Sequence, residues 1–375
     1  MASNPPRRSR PRDSFEEWLA APMASECADP RFEVRRAELA DFERMYDAVD
    51  DAFEVKRPRE MYDWLYRKCP LGPARCWLLV EKATEVVVNV AGRVSWPLAR
   101  GDQPFEGAIV ADNATIRRYQ RQGLGELRRP AREADPWRER SLVIAWPNEK
   151  SRARSAKYGR GHLDWGPLPR WVLPLRTSTL LQSRYGLPKP LASAVGAALD
   201  VSLGSARSLS SGGRRVRVEE ISAFDERFDA ITWAGMAAPE YWSPHDADFL
   251  NWRYVAHPIR EYACLAASED NDPCGYAVVR FAPSRAVLME LVFPPDTPHV
   301  AHALLRRAAK IARAAGCPHL DFEATPSWPH AAVLKRAGFM TARSELYLNV
   351  FRHPKRRFVT QLDQWRLVPG DQDAL

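Results

Sequence analysis

The stretch Asn113-Ala-Thr-Ile-Arg-Arg-Tyr-Gln-Arg-Gln-Gly-Leu-Gly125 decides the fold of this chain. An apolar run from Phe105 to Val110 precedes it and alternates every second residue, which predicts a β-strand. After it, apolar residues recur at helical spacing, at Leu124, Leu127, Ala131 and Ala134. The sequence therefore predicts a strand, a glycine-containing loop and a helix in succession.

This predicted junction suits an anionic ligand. The N-terminus of a helix presents unpaired N–H groups and the positive end of the helix dipole, and glycine lets a ligand approach the backbone. Only one acid, Glu126, lies among the nearby arginines, which are Arg117, Arg118, Arg121, Arg128, Arg129 and Arg132. No Lys-Ser/Thr pair follows the second glycine and no third glycine stands at dinucleotide spacing, so neither common phosphate-binding pattern fits.

The motif that does fit is Gln120-x-x-Gly123-x-Gly125. It resembles the pyrophosphate loop, Q/R-x-x-G-x-G/A, of the GNAT superfamily of N-acetyltransferases. The predicted element order over residues 32–176, β-α-α-β-β-β-α-β-α-β, also resembles that of a GNAT domain. The resemblance implies an α/β fold with a mixed sheet, acetyl-CoA or another acyl-CoA as co-substrate, direct attack of an amine on the thioester, and no metal.

The resemblance also implies a set of ligand-binding residues. The end of the strand would lie beside the pantetheine arm and thioester, and the loop would surround the pyrophosphate. The implied set is Ala111, Asn113, Ala114, Thr115, Ile116, Arg117, Arg118, Gln120, Arg121, Gln122, Gly123, Leu124, Gly125, Asn148 and Ser151.

The general base is expected to be a carboxylate or a relayed water, because the first half of the chain has only one histidine, His162, on a predicted loop. The candidate carboxylates are Asp112 and Glu106. Adjacent strand positions alternate faces, so positions 106 and 112 are expected to share one. Both side chains would then face the gap in which the resemblance places the thioester.

The proton donor to the thiolate is less well matched. Many superfamily members carry a tyrosine in a pattern like N-x-x-S/A-x-x-x-Y-x-K-x-G, and here Ser155 stands at the tyrosine position. Tyr158 lies three residues further, near the same helix face, and is the second candidate. The other matching positions are Asn148, Ser151, Lys157 and Gly159. Pro130 is a further departure, since a proline past the first turn is expected to kink the helix.

The second half of the chain repeats the element order of the first. Trp64-x-Tyr66-x-x-x-Pro70 recurs as Trp252-x-Tyr254-x-x-x-Pro258, which predicts an internal duplication. The equivalent of the glycine loop is Phe293-Pro-Pro-Asp-Thr-Pro298, whose prolines lack backbone N–H groups. We therefore expect two consecutive GNAT-like domains, of which the second does not bind coenzyme A in the manner of the superfamily.

The predicted boundaries follow from composition. Residues 1–31 are expected to be a disordered extension, 32–176 a GNAT domain and 177–213 a linker with a helical connector. Residues 214–352 are expected to form the degenerate second domain and 353–375 a basic tail. The apolar runs Trp171–Leu175 and Leu346–Phe351 are predicted to close the first and second domains respectively.

Composition bounds the setting of the protein. The 375 residues are 45% hydrophobic, and no apolar run is long enough to cross a membrane, so we expect a cytoplasmic protein. The six cysteines form no C-x-x-C pair, which indicates reduced thiols. The net charge of +8 suits a polyanionic co-substrate, and nucleic acid is disfavoured because the basic residues do not follow one helix. A monomer or a homodimer is expected.

The leading interpretation is an acyl-CoA-dependent N-acyltransferase acting on a primary amine, with one working site. The alternative is a catalytically weakened GNAT fold that binds coenzyme A or a protein partner as a sensor or scaffold, and Ser155 and Pro130 support it. The acceptor stays open among small amines, amino sugars, aminoacyl groups and protein lysines, since the fold does not specify it.

Overall fold

The computed structural model describes residues 14–23, 26–147, 149–155, 162–176, 216–235, 241–344, 346–352 and 361–372, with a few isolated positions between 178 and 195. These residues form two compact units. The N-terminal unit takes its residues from Pro6–Gly166 and Leu346–Gln361, and the C-terminal unit from Pro167–Glu345 and Leu362–Gln372. The predicted linker helix within 177–213 lies outside the described residues.

The first half of the chain combines short helices with longer strands. In chain order, the helices are α1 (Phe15–Ala20), α2 (Phe42–Phe53), α3 (Arg59–Tyr66), α4 (Leu124–Glu133), α5 (Pro136–Arg140) and α6 (Glu149–Ser155). The strands are β1 (Phe32–Arg36), β2 (Arg75–Glu81), β3 (Val86–Arg100), β4 (Gln103–Thr115), β5 (Leu142–Ala145), β6 (His162–Pro167) and β7 (Arg170–Pro174).

The second half has a similar succession. Its helices are α7 (Arg227–Gly235), α8 (Ala247–Leu250), α9 (Pro298–Ala314) and α10 (Ala331–Arg336), with a π-helical turn at Asn251–Val255. Its strands are β8 (Arg217–Glu220), β9 (Tyr241–Trp242), β10 (Tyr262–Glu269), β11 (Asp272–Ala282), β12 (Arg285–Val292), β13 (His319–Glu323), β14 (Met340–Ala342), β15 (Tyr347–Arg352) and β16 (Trp365–Arg366).

Each unit is built on a mixed sheet, which confirms the predicted mixed α/β class. In the N-terminal unit the strand order is β1-β2-β3-β4-β5-β15-β6, and in the C-terminal unit it is β8-β10-β11-β12-β13-β7-β14. An antiparallel meander leads in each case to one parallel pair, β4 with β5 or β12 with β13. A helix, α4 or α9, lies in the crossover between the two parallel strands, as such connections require.

Two strands lie in a different unit from the one that the sequence predicted. The strand β7 pairs with β13 and β14 in the C-terminal unit, whereas β15 pairs with β5 in the N-terminal unit. The prediction that each strand closes the sheet of its own half is therefore wrong. An apolar alternation identifies a strand but not its partner. Each of the two strands, β7 and β15, pairs antiparallel with one strand of a parallel pair, so the two sheets offer the same kind of neighbour.

The expectation of disorder before Phe32 is wrong for the residues described there. Phe15 and Trp18 are buried on one face of α1, and the helix begins with a capping box in which Ser14 and Glu17 bond each other's backbone N–H. Trp18 packs edge-on against Trp77, with ring centroids 5.5 Å apart. The i, i+3 spacing of two aromatic residues after a Ser-x-x-Glu signal was visible in the sequence, but the surrounding Pro, Arg and Ser residues obscured it.

A buried ion pair holds this segment in the N-terminal unit. Arg36 donates to Asp135 over 2.9 Å, and the side chains are 3% and 0% exposed. Trp18 adds a hydrogen bond from its indole nitrogen to the same carboxylate at 3.1 Å, and the backbone N–H of Trp137 donates to the other carboxylate oxygen. All these donors converge on Asp135, so its carboxylate connects α1, β1 and α5.

We expect Asp135→Ala to lower the free energy of unfolding by about 3–5 kcal/mol, because it leaves the Arg36 guanidinium buried without its carboxylate. Urea denaturation followed by tryptophan fluorescence measures the loss. The control is Asp29→Ala, which removes an exposed pair with Arg31 and should cost far less, because solvent already screens those two charges. Equal losses for the two variants would contradict the role given to Asp135.

Candidate functional site

The centre of the candidate site is a β-bulge in β4. The pairing of β3 with β4 passes from Ala91 opposite Asn113 to Gly92 opposite Ala111, so Asp112 has no partner on β3. Asp112 has a φ of +33°, an uncommon value for a residue with a side chain. A Cβ on Gly92 would lie 2.8 Å from the carbonyl oxygen of Ala111, so the close approach of the two strands at the bulge requires glycine.

The carboxylate of Asp112 is clamped by a cation and a hydroxyl group. Arg57, in the loop between α2 and α3, donates to both carboxylate oxygens at 2.9 and 3.1 Å. Tyr66, from the repeated W-x-Y motif, donates its hydroxyl to the same carboxylate at 2.8 Å. The Asp112 side chain is only 4% exposed. These contacts hold the bulge in its strained conformation.

Beyond the bulge, β4 separates from its parallel neighbour. The pairing with β5 ends at Ile109 opposite Ile144, and β4 continues for six residues, from Val110 to Thr115. Within the described part of the unit, no strand pairs with β4 on that side after Ile109. Asn89 holds the end of β4 from the other side, since its amide donates to the carbonyl of Ala114 at 2.7 Å and to the hydroxyl of Thr115 at 2.6 Å.

The separated edge of β4 leads to the start of α4. Gly123 is the N-cap residue, with a left-handed φ of +74°, and Glu126 already donates its N–H back to the Gly123 carbonyl. No described residue accepts a hydrogen bond from the backbone N–H groups of Gln122, Gly123, Leu124 or Gly125. Four neighbouring donors at the positive end of a ten-residue helix are an arrangement that suits an anion.

Packing within the protein does not explain the second glycine of the motif. A Cβ on Gly125 would meet nothing closer than the Asn89 amide nitrogen, at 4.0 Å. Its φ is not in the left-handed region. Because neither conformation nor internal packing requires glycine here, the missing side chain leaves room above the helix N-terminus for a ligand.

The predicted arginines divide into paired and unpaired ones. Arg117 pairs with Glu54 and Asp51, and its N–H donates to Asp51 at 2.7 Å. Arg118 lies 3.7 Å from Glu81. Arg121 is exposed and makes no ion pair or hydrogen bond with any residue that the structure describes. Of the three arginines in the implied ligand set, Arg121 is therefore the one with an uncommitted charge.

The remaining loop residues shape the turn. The side-chain amide of Gln120 donates to the carbonyls of Ala52 and Thr115, at 3.2 and 3.1 Å. Gln122 donates to the carbonyl of Arg118 at 3.1 Å. These bonds fix the loop between α2 and β4. The helix that follows contains Pro130 in its interior and continues to Glu133.

The structure does not bring the two predicted bases together. Glu106 lies six residues before Asp112 on the same strand, which separates them by about 20 Å. The bulge at Asp112 also interrupts the strict alternation from which a shared face was expected. Glu106 lies 3.8 Å from Arg140, and Asp112 is committed to Arg57 and Tyr66. The catalytic roles of both residues stay predictions.

The structure describes only part of the segment that holds the predicted proton donors. Asn148 and Tyr158 lie outside the described residues, and so does the side chain of Ser155 at the end of α6. Ser151 is exposed on the same helix. His162 begins the strand β6 rather than lying on a loop, and burial lowers its pKa below the usual value. The pattern around Ser155 therefore stays a prediction.

The C-terminal unit repeats the bulge and its clamp. The pairing of β11 with β12 passes from Val278 opposite Glu290 to Val279 opposite Leu288, which leaves Met289 unpaired. Tyr254, the equivalent of Tyr66 in the repeated motif, donates its hydroxyl to Glu290 at 2.6 Å. The cation on this carboxylate is His245, whose Nδ1 lies 2.8 Å from Glu290. A carboxylate bound by a tyrosine hydroxyl and a cation at or beside a bulge thus occurs in both units, and the internal duplication stays a prediction.

The cleft of the C-terminal unit is filled by the end of the chain. The strands β12 and β13 pair only at Ala286–Leu320 and Val287–Asp321 and then separate. Leu367 exchanges two hydrogen bonds with Thr325, which follows β13, and Gly370 lies against Glu290 on β12 so closely that a Cβ would collide with the carboxylate. The expectation of a basic tail over 353–375 is therefore wrong for residues 361–372, several of which are buried.

Asp371 completes a buried charge cluster in this cleft. Its carboxylate lies 3.1 Å from Nε2 of His245, so the imidazole contacts Asp371 and Glu290 through different nitrogens. Ser243 also contacts Nε2, at 3.0 Å. Burial lowers the pKa of His245, but the two carboxylates more than offset that effect and raise it to about 10. His245 is thus an imidazolium that fastens residues 365–371, hereafter the C-terminal strap.

Sequence reasoning missed Arg57, His245 and the C-terminal strap. The apolar residues Trp365, Leu367 and Val368 were a readable signal of a buried segment. No local pattern, by contrast, connects Arg57 or His245 with a carboxylate 45 residues or more further along the chain.

Comparisons with known proteins agree with this architecture. A conserved protein of Enterococcus faecalis V583, named as a probable N-acyltransferase, has a TM-score of 0.59 at 11% identity over 85% of this chain and 71% of its own. The GCN5-related N-acetyltransferase of Kribbella flavida has a TM-score of 0.52 at 14% identity, with the same coverage. N-myristoyltransferase of Saccharomyces cerevisiae with bound myristoyl-CoA has a TM-score of 0.54 at 9% identity over 90% of this chain and 86% of its own.

No protein-family model and no curated protein matches the sequence of this chain. The identities to the solved structures are low, so the likeness concerns the fold. The chain has the GNAT fold, and the resemblance that the sequence suggested is confirmed at that level. Among the described residues, no group of His, Cys, Asp and Glu is arranged to hold a metal ion, and no helix has the length and apolar character to cross a bilayer.

The charge on His245 predicts a pH dependence of stability. Its pKa in the folded protein, about 10, exceeds the ordinary value of 6.5, so its contribution is fully present below pH 6.5 and is lost as pH rises through about 10. We expect the free energy of unfolding to fall between pH 7 and pH 10, and His245→Gln to flatten that slope. Urea denaturation at a series of pH values measures it, and parallel slopes for both proteins would refute the imidazolium assignment.

Proposed function

We propose that the N-terminal unit is an acyl-CoA-dependent N-acyltransferase, with acetyl-CoA as the favoured donor and a primary amine as the acceptor. The proposal rests on two features that follow each other along the chain. The edge of β4 is unpaired beyond Ile109, and the loop after β4 ends in the free N–H groups of residues 122–125. An extended ligand arm with an amide backbone suits a strand edge, and a diphosphate suits a helix N-terminus.

The residues divide the tasks of binding. The N–H groups at the start of α4 hold the diphosphate, and the guanidinium of Arg121 supplies a charge-assisted contact. The edge of β4 from Val110 to Thr115 orients the arm, so the thioester lies beside the bulge at Asp112. In the reaction the bond from the acyl carbon to sulfur breaks and a bond to the amine nitrogen forms, while one proton leaves the nitrogen and one reaches the sulfur. The unit contributes chiefly by positioning the two reactants.

The C-terminal unit is proposed to have no such site. Its cleft is occupied by the C-terminal strap, and α9 begins with Pro298, which has no N–H. Thr297 directs both its N–H and its hydroxyl back to the carbonyl of Pro294, at 3.0 and 2.7 Å. Few donors are left for a phosphate, so only the N-terminal unit is assigned a co-substrate.

One observation favours a second candidate function, a coenzyme A sensor without catalysis. Asp112, the carboxylate at the bulge, already accepts hydrogen bonds from Arg57 and Tyr66. It is therefore poorly placed to take a proton from an ammonium group. In this interpretation the unit binds the co-substrate and transmits its presence to a partner. Turnover separates the two functions.

We expect acetyl-CoA at about 100 times its dissociation constant to stabilise the protein by roughly 2.7 kcal/mol, seen as a rise in Tm. Incubation with a panel of amines should then release free thiol, measured with a thiol-reactive dye. Stabilisation without thiol release on any amine would favour the sensor. The absence of stabilisation by any acyl-CoA would remove both functions.

Arg121→Ala should weaken acetyl-CoA binding about tenfold, because a charge-assisted hydrogen bond contributes about 1.5–3 kcal/mol. Arg117→Ala is the matched control and should change the affinity less, since Arg117 is paired with Glu54 and Asp51.

Gly125→Leu should abolish binding without lowering Tm, while Glu126→Leu, one position further on an exposed face, should not weaken it. Isothermal titration calorimetry measures all four, and an unchanged affinity in Gly125→Leu would refute the loop assignment.

A further inference from the structure

Arg57 holds the bulge with only one part of its guanidinium group. Its Nη1 atom makes both hydrogen bonds to Asp112. No described residue accepts a hydrogen bond from Nε or Nη2, although guanidinium has five donors in a planar fork. The side chain is 21% exposed, so the unused edge of the group can be reached from solvent.

Two aromatic rings fix the orientation of this guanidinium. Its central carbon lies 5.6 Å from the centre of the Phe53 ring and 5.5 Å from that of Tyr62. The Tyr62 hydroxyl is itself held by Asp50 at 2.5 Å, and the backbone N–H of Arg57 donates to the same carboxylate at 3.2 Å. A donor edge that is oriented before a ligand arrives costs little entropy to use.

The C-terminal unit shows the same arrangement with both sides of the cation occupied. His245 contacts Glu290, which follows the unpaired bulge residue Met289, through Nδ1 and a second carboxylate, Asp371, through Nε2. In the N-terminal unit Asp112 is the carboxylate bound by the tyrosine of the repeated motif, as Glu290 is in the C-terminal unit, and Arg57 is its cation in the way that His245 is that of Glu290. No described residue corresponds to Asp371, so a place for a second carboxylate is left on Arg57.

The surroundings of this place are apolar as well as cationic. Phe53, the last residue of α2, and Val55, in the same loop as Arg57, are 47% and 43% exposed. Other charged groups nearby are already satisfied: Asp50 bonds Tyr62, and Arg59 pairs with Asp47. The nearest competing charge is Asp112 itself, on the opposite edge of the guanidinium.

We propose that Arg57 binds a carboxylate carried by the amine acceptor, so that the acceptors of this enzyme are amino acids rather than simple amines. The proposal rests on the proposed acyl transfer and specifies its substrate class. Arg57 touches the residue that forms the bulge, where the thioester is placed. The carboxylate and the nucleophilic nitrogen of the acceptor are therefore separated by a few carbon atoms, and its side chain meets Phe53 and Val55.

The test compares L-amino acids with their methyl esters and with the decarboxylated amines, using acetyl-CoA and the thiol assay. The wild-type protein should acylate at least one free acid with a kcat/KM about tenfold or more above that of its ester and amine. Arg57→Lys, which keeps a charge for Asp112 but loses the fork, should reduce this preference about tenfold. Arg59→Lys is the control, since Arg59 lies at the start of α3 and does not contact Asp112, and it should keep the preference.

Equal rates on acid and ester, or an undiminished preference in Arg57→Lys, overturns the proposal and leaves acyl transfer intact. Calorimetric binding of the same acids and esters, with coenzyme A present, provides a readout that does not need turnover. If no thiol is released but acids bind more tightly than esters, and only Arg57→Lys removes the difference, acyl transfer fails while carboxylate recognition stands. If no acid binds to the wild-type protein and none is acylated, the carboxylate site is refuted.

Discussion

A buried carboxylate at a strand bulge is the constraint on which the N-terminal unit depends. Asp112 occupies a left-handed conformation, and its charge must be compensated because almost none of the side chain reaches solvent. Arg57 and Tyr66 provide that compensation from the two ends of α3, since Arg57 lies just before the helix and Tyr66 is its last residue. The pairing of β4 with β5 ends at Ile109, three residues before Asp112, and β4 continues past the bulge with an unpaired edge. The buried charge and its clamp thus lie close to the point where β4 and β5 separate.

The C-terminal unit also has a buried carboxylate bound by a tyrosine hydroxyl and a cation, but the groups around it differ. Glu290, Tyr254 and His245 reproduce the carboxylate, hydroxyl and cation beside a bulge in β12. Here the cation also binds Asp371, and the C-terminal strap closes the cleft. In both units the clamp bonds groups of the protein itself, so it stabilises the strand whether or not a ligand binds beside it.

Much of this architecture was predictable from local sequence. The strand, loop and helix around Gly123, the parallel strand after one crossover, and the W-x-Y repeat follow from periodicity and backbone chemistry, which act over a few residues. The exchange of β7 and β15 was not predictable, because both sequences satisfy the same kind of neighbour and only tertiary packing selects between them. The clamp on Asp112 was missed for a related reason. Arg57 was one of many arginines, and its partner is 55 residues away.

The distribution of arginines also changes how the basic charge of the chain is understood. The loop looked like a cluster of cations gathered for a phosphate, yet Arg117 and Arg118 are balanced by Glu54, Asp51 and Glu81. Arg128 is buried and bonds Asn89, the residue that holds the end of β4. Most of the cluster thus stabilises the loop and the strand that lead to the helix N-terminus. The donors that remain at the helix N-terminus are the backbone N–H groups of residues 122–125, whose direction is fixed by the fold, and Arg121, which has no partner among the described residues.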